Sequence, residues 1–188
     1  MTARWLLALS LTMLGGCIQE KMEGAQPSIA AAKAAQAFDM APLSVGSVTT
    51  EPADAAFDRH INIRGSTMTP PTGRFSSYLH DVLITELRSN GRYDPDAPLI
   101  LSAVLTENKA TEDFKSGHGV EVATFRLTRD GKTVFEQSIR AEVQWGSSFI
   151  GAIAIPAAFS THASLSNTLV ANLFASPEFR AAAARTKG

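Results

Sequence analysis

The chain predicts an α+β domain: a mostly antiparallel sheet of about four strands with two helices packed on one face, in the order β-α-β-β-β-α. Three observations carry that expectation. Residues 75–91 repeat apolar side chains at helical spacing, with Phe75, Leu79, Val82, Leu83 and Leu87 on one face. Residues 119–145 are rich in β-branched side chains and are split by Asp130-Gly131, a favoured two-residue hairpin turn. Residues 156–175 carry a second helical stripe of Ala158, His162, Leu165, Leu169 and Leu173. Helices that follow or precede a run of consecutive strands pack together on one face of an antiparallel sheet.

Taken in order, the first strand is expected from Leu43, where LSVGSV spaces apolar residues at 43, 45 and 48. Residues 51–71 hold many turn formers and end in TMTPPTG, so they read as a loop with one short extended piece at HINIRG. Thr72 or Gly73 can open the first helix, and Asn90-Gly91 supplies a left-handed stop. A strand follows from about Leu99 to Glu107, and then the hairpin. In its second arm Phe135, Ile139, Ala141, Val143 and Trp145 share a face, which Gln137 interrupts. Glu136, Arg140, Glu142 and Gln144 take the other face, giving one dry side and one wet side. The last helix is expected to begin at Pro156, since proline is tolerated in a first turn, and Ser176-Pro177 ends it.

The N-terminus has a different character. Arg4 precedes an apolar run from Trp5 to Leu14, which is far short of the roughly 20 residues that span a bilayer. It has the length of a secretory signal core. The run ends in Leu14-Gly15-Gly16-Cys17, and Cys17 is the single cysteine of the chain. This resembles the bacterial lipobox, in which the leader is cleaved just before a cysteine that receives diacylglyceryl and N-acyl (palmitate-type) chains. The resemblance implies a membrane partner reached through the lipid on Cys17. Ile18 stands where an Asp favours inner-membrane retention, so the expected address is the outer membrane, facing the periplasm. The expected organisation is a signal peptide over 1–16, a lipid-anchored tether over 17–40, a periplasmic α+β domain over 41–180 and a tail over 181–188. The tether is polar and alanine-rich, and Ser28 can cap a short docking helix through AAAKAAQ.

Composition and motifs narrow the function by exclusion. Lys and Arg total 17 against 18 Asp and Glu, a formal charge of −1, so no basic excess suggests nucleic acid. An acylated Cys17 leaves no thiol for a disulfide, a nucleophile or a metal ligand. The histidines are His60, His80, His118 and His162, and none forms an H-x-x-x-H or H-E-x-x-H pair, so no metal is expected. Neither a nucleophile elbow nor a phosphate loop is present, so no catalytic residue and no cofactor are expected. His80-Asp81 reads as two surface residues, His162 as a packed core histidine and His118 as part of a strand-entry turn. Asp94 and Asp96 read as turn formers.

One stretch departs from this plain pattern. Residues 147–159, SSFIGAIAIPAAF, carry no charge at all. They fold back as core or an early helical turn, or else they form a contact surface for lipid or a partner protein. On the second reading Phe149, Ile150, Ile153 and Ile155 are the contact residues.

The helix pattern at Phe75, Leu79, Leu83 and Leu87, with a closing Leu173-Phe174, Pro177 and Phe179, resembles small periplasmic lipoproteins of Gram-negative bacteria. YajG-like lipoproteins, lipoprotein activators of penicillin-binding proteins and auxiliary lipoproteins of ABC transporters share this plan. The resemblance implies a non-enzymatic binding or scaffolding component in envelope assembly or transport, with an envelope protein as partner. The alternative is a small-ligand or lipid-binding auxiliary component of an ABC transporter.

Overall fold

A computed structural model describes residues 19–113, 115–148 and 150–185. Its centre is a four-stranded sheet in the order β2-β5-β6-β7, formed by β2 (Ser44–Thr50), β5 (Leu99–Glu112), β6 (Ser116–Arg129) and β7 (Lys132–Gly146). The β5-β6-β7 meander is antiparallel, while β2 joins β5 in parallel. Parallel neighbours need a crossover, and α2 (Phe75–Ser89) is the helix of that crossover. The sheet is thus mostly antiparallel and the domain is α+β, as the sequence predicts. The turn between β6 and β7 is Asp130-Gly131, both with positive φ, the turn whose twist matches the strands it joins.

One face of this sheet is dry. Leu101, Leu105, Phe125 and Leu127 are fully buried, and Phe135, Ile139, Ala141 and Trp145 lie on the same side in β7. Helices α2 and α4 (Leu165–Ala175) cover that face, with α5 (Pro177–Ala183) closing its far edge through Phe179. Phe179 meets Phe135 edge-on at 5.5 Å and stacks on Phe174 at 5.8 Å. Gln137, which breaks the apolar face of β7, accepts a hydrogen bond of 2.8 Å from Ser176 at the α4–α5 junction. A polar residue in the dry face is therefore matched to a polar cap above it.

Helix α2 ends at Ser89 with Asn90 as its C-cap, and Gly91 follows with φ 65°, the expected stop. Its start is supplied differently from the local expectation. Neither Thr72 nor Gly73 caps it; Arg74 is the N-cap and offers no side-chain bond to the helix. Asp58 does, accepting from the Ser76 N–H at 2.8 Å while its other oxygen takes Arg74 at 2.9 Å. The cap comes from a 3₁₀ turn, Ala56–Asp58, 18 residues upstream, so no local motif announces it.

Residues 51–71 are more ordered than a loop. Besides the extended piece at β3 (Ile61–Ile63), they form β4 (Ser66–Thr69), and β1 (Gln19–Lys21) adds to β4 to make a second sheet, β1-β4-β3. Met68 is 1% exposed, so β4 is nailed down by burial although Pro70-Pro71 reads as a turn. The segment expected as a tether is also folded onto the domain. Helix α1 (Ile29–Gln36), capped by Ser28, packs on α4 through the buried Ala31 and Ala35. Met22 and Met40 are buried at either side of it.

The last helical segment departs most from expectation. It begins at Gly151, not Pro156, and divides at Ser164 into α3 (Gly151–Ala163) and α4. Pro156 sits inside α3 and leaves the carbonyl four residues before it without its helical partner. Ala154 and Ile155 are buried, however, and a loop there would bury several unpaired backbone groups. The lost bond at one proline is the smaller cost.

Leu83 lies at 0% exposure on α2, within the core between helices and sheet. Leu83→Ala is expected to lower unfolding free energy by about 2–5 kcal/mol, read by urea denaturation, whereas Ile100→Ala, at a position 40% exposed, is expected to cost far less.

Candidate functional site

Beneath α3 and α4 the dry face holds a small group of polar side chains. Asn108, Glu121, His162 and Ser166 are each 2% exposed. His162 Nε2 lies 2.9 Å from Asn108 Oδ1, and its ring meets Phe75 edge-on at 6.5 Å. The Ser166 hydroxyl lies 3.0 and 2.9 Å from the two carboxylate oxygens of Glu121, to which it donates. Gly119 makes room for the imidazole, since a Cβ there would stand 2.9 Å from His162 Nδ1. Residues 117–119 are therefore strand, not a strand-entry turn; Gly117 similarly lies under the Trp145 indole, and His118 points outward to Glu142 at 3.2 Å.

Burial sets the electrostatics of this group. It pushes Glu121 up to about 7, with the Ser166 hydrogen bond pulling weakly the other way, and pushes His162 down to about 4. Both groups favour their neutral forms. All four side chains are shut away from solvent. The arrangement is a polar island in a core, paired through His162–Asn108 and Ser166–Glu121, while Asn108 Nδ2 and His162 Nδ1 have no hydrogen-bond partner among the described residues.

Sequence reading placed His162 there correctly and missed Asn108 and Glu121. Glu121 had a signal: it falls in phase with Ala123, Phe125 and Leu127, so alternation alone turns it inward. Asn108 had none. Odd-numbered residues of β5 face the core as far as Leu105, and a bulge between Leu105 and Glu107 then flips the phase.

The remaining histidines and turn acids are ordinary. His80 and Asp81 pair on the surface of α2 at 3.7 Å. Asp94 accepts from the Asp96 N–H at 3.0 Å, as a turn former does. Among the described residues no group of three or more His, Cys, Asp or Glu is placed to hold a metal ion, and no helix is long and apolar enough to cross a membrane.

Two other features face outward. The first is a cleft of about 350 Å³ behind β1, lined by Lys21, Met22, Met68, Tyr78, Phe159 and Asn167. The second is one end of the molecule, where several chain segments converge on Glu112. Its buried carboxylate accepts from Trp145 Nε1 at 3.2 Å and from the Ser147 hydroxyl, and pairs with Arg64 at 3.5 Å. Arg64, in the β3–β4 turn, donates to the Ser148 carbonyl at 2.7 Å. Next comes the start of α3, where Ile150 and Ile153 are 58% and 62% exposed. Ile155, two residues on, is 8% exposed and packs inward, so it does not share their outward face. Phe149 and Cys17 lie outside the described residues.

No family model matches the chain, and no curated protein matches it in sequence. Several solved structures are similar in chain path. A Xanthomonas campestris protein of the family DUF330 is 14% identical with a TM-score of 0.49, over 84% of this chain and 94% of that one. A minor lipoprotein of Acinetobacter baumannii is 8% identical with a TM-score of 0.42, over 77% and 93%. PelC of Paraburkholderia phytofirmans, a dodecamer, is 15% identical with a TM-score of 0.44, over 87% and 96%.

The polar island yields a pH prediction. Glu121 sits above its ordinary 4.5, so its contribution is full below 4.5 and is lost as pH rises through 7. His162 sits below its ordinary 6.5, so its contribution is full above 6.5 and is lost as pH falls towards 4. The two oppose each other between those limits, and above pH 7 the cost of an ionised Glu121 alone remains. Glu121→Gln is therefore expected to stabilise the fold at alkaline pH, by as much as about 3 kcal/mol, and to do little in acid. Urea titrations of both proteins at the two pH extremes measure it; an equal effect at both extremes would refute the assignment.

Proposed function

We propose that this chain is a non-enzymatic lipoprotein of the bacterial cell envelope, anchored in the outer membrane through Cys17 and facing the periplasm, where it serves as a binding or scaffolding component of envelope assembly or transport. The observation that carries the reading is Leu14-Gly15-Gly16-Cys17 at the end of a ten-residue apolar run behind Arg4. Two acyl chains or more hold a protein on a membrane stably, since each buried CH₂ contributes about 0.8 kcal/mol. Ile18 in place of Asp supports the outer-membrane address.

The domain is consistent with a binding role. Its polar core residues are enclosed, and its sheet leaves a wet outer face crossed by ion pairs such as Arg126–Glu136 at 2.8 Å. A partner protein in the envelope fits that face or the end of the molecule around α3. The cleft behind β1 supports a second reading, a carrier of a small ligand or lipid for an ABC transporter. That cleft lies outside the side-chain-filled core, so a carrier would hold its cargo under the N-terminal strap. Protein extracted from membranes and stripped of detergent would then carry one co-purifying small molecule per chain, whereas the scaffold reading expects none.

Cys17→Ala is expected to abolish acyl incorporation and move the protein from the membrane fraction to the soluble periplasm, as read by metabolic labelling with a palmitate analogue and by fractionation. A variant that is processed normally and stays in the membrane would defeat the anchor.

A further inference from the structure

The exposed isoleucines at the start of α3 have a neighbour that identifies their occupant. Only Ile18 separates Cys17 from β1, so the two Cα–Cα steps from Cys17 to Gln19 span at most about 7.6 Å. Gln19 pairs with Thr67, and β1 runs parallel to β4, so the end of β1 nearest Cys17 lies beside the β3–β4 turn at Arg64-Gly65. From that turn Arg64 reaches the Ser148 carbonyl at 2.7 Å, two residues before Ile150. The point at which the chain leaves the anchor and the apolar start of α3 therefore belong to the same end of the molecule. They are tied together by a strand pairing and one buried carboxylate, Glu112, that holds Arg64, Trp145 and Ser147.

We propose that Ile150 and Ile153 enter the same bilayer that receives the acyl chains of Cys17, so that the domain is seated on the membrane at two points in a fixed orientation. The inference rests on the lipid attachment proposed above. Three features specify lipid as the occupant. The chain outside the structure is too short to let the domain swing clear of the membrane. The two side chains stand three residues apart at the N-terminal end of α3, with no acidic residue in its first turn. Residues 147–159 offer no charge with which to meet a charged protein surface. Apolar side chains held at a headgroup boundary lose water to the acyl region, which adds to a covalent anchor.

The single-cysteine composition makes the test direct. In the lipidated protein Cys17 is blocked, so Ile150→Cys, Ile153→Cys or Lys132→Cys carries the one free thiol, and each takes the environment-sensitive fluorophore NBD. Lys132 begins β7, at the opposite end of the hairpin from Ser147. The labelled proteins are reconstituted into phosphatidylethanolamine–phosphatidylglycerol vesicles, with and without a nitroxide-bearing phospholipid. Emission from positions 150 and 153 is expected to shift to the blue and to be lost to the nitroxide, while position 132 does neither. Protein that floats with the vesicles but shows all three positions equally solvated overturns the seating and leaves the anchor standing. Protein that fails to float at all defeats the anchor reading, and the seating with it. Positions 150 and 153 that are solvated in vesicles yet shielded in native membranes would assign the patch to a protein partner and overturn the lipid assignment.

Discussion

The dry face of the four-stranded sheet is the constraint on which the rest of the molecule depends. Leu101, Leu105, Phe125 and Leu127 reach 0% exposure because helices lie over them, and burying each such side chain contributes about 1.5–3 kcal/mol. That demand explains the crossover of α2 between β2 and β5, the closing run of α4 and α5, and the persistence of helix through Pro156. It also explains the polar island. Where the bulge in β5 and the phase of β6 turn Asn108 and Glu121 inward, α3 and α4 answer with His162 and Ser166, which pair with the Asn108 carbonyl oxygen and the Glu121 carboxyl and so offset part of the cost of burying them.

The same economy changes what the N-terminal segment is. Glu86 on α2 is fully buried and accepts from the Ser28 N–H and from Asn167 on α4, both at 2.8 Å, while Asn167 also holds the Gln26 carbonyl at 2.9 Å. Residues 19–36 are thereby strapped across α2 and α4 and paired to β4. Under the anchoring proposed above, a single residue, Ile18, separates the lipid on Cys17 from β1. Orientation on the membrane then becomes a property of the fold.

Much of the fold was legible before any coordinates. The amphipathic stripe of α2, the Asp130-Gly131 turn and the alternation of β7 each express a local rule in contiguous residues, and each element formed where those residues are. His162 was legible as core for the same reason. The elements that escaped depend on distant partners. β1 and β4 are three and four residues long and exist only because they pair with each other and with β3. The true cap of α2 is Asp58, 18 residues away. Asn108 faces inward through a bulge that no composition signals. Of the four apolar contact candidates, Ile150 and Ile153 face outward and Ile155 faces inward, a division that only the helical path from Gly151 sets.

By itself the sequence determined the class of the domain and the order of its main elements, because helical stripes, strand alternation and turn dipeptides are each written in a handful of adjacent residues. The tertiary structure decided what those parts do to one another. It folded residues 19–40 onto the domain, enclosed the titratable core residues and brought the start of β1 beside the apolar start of α3. Those outcomes depend on pairings across tens of residues, whose free energy exists only once the sheet has a face to bury.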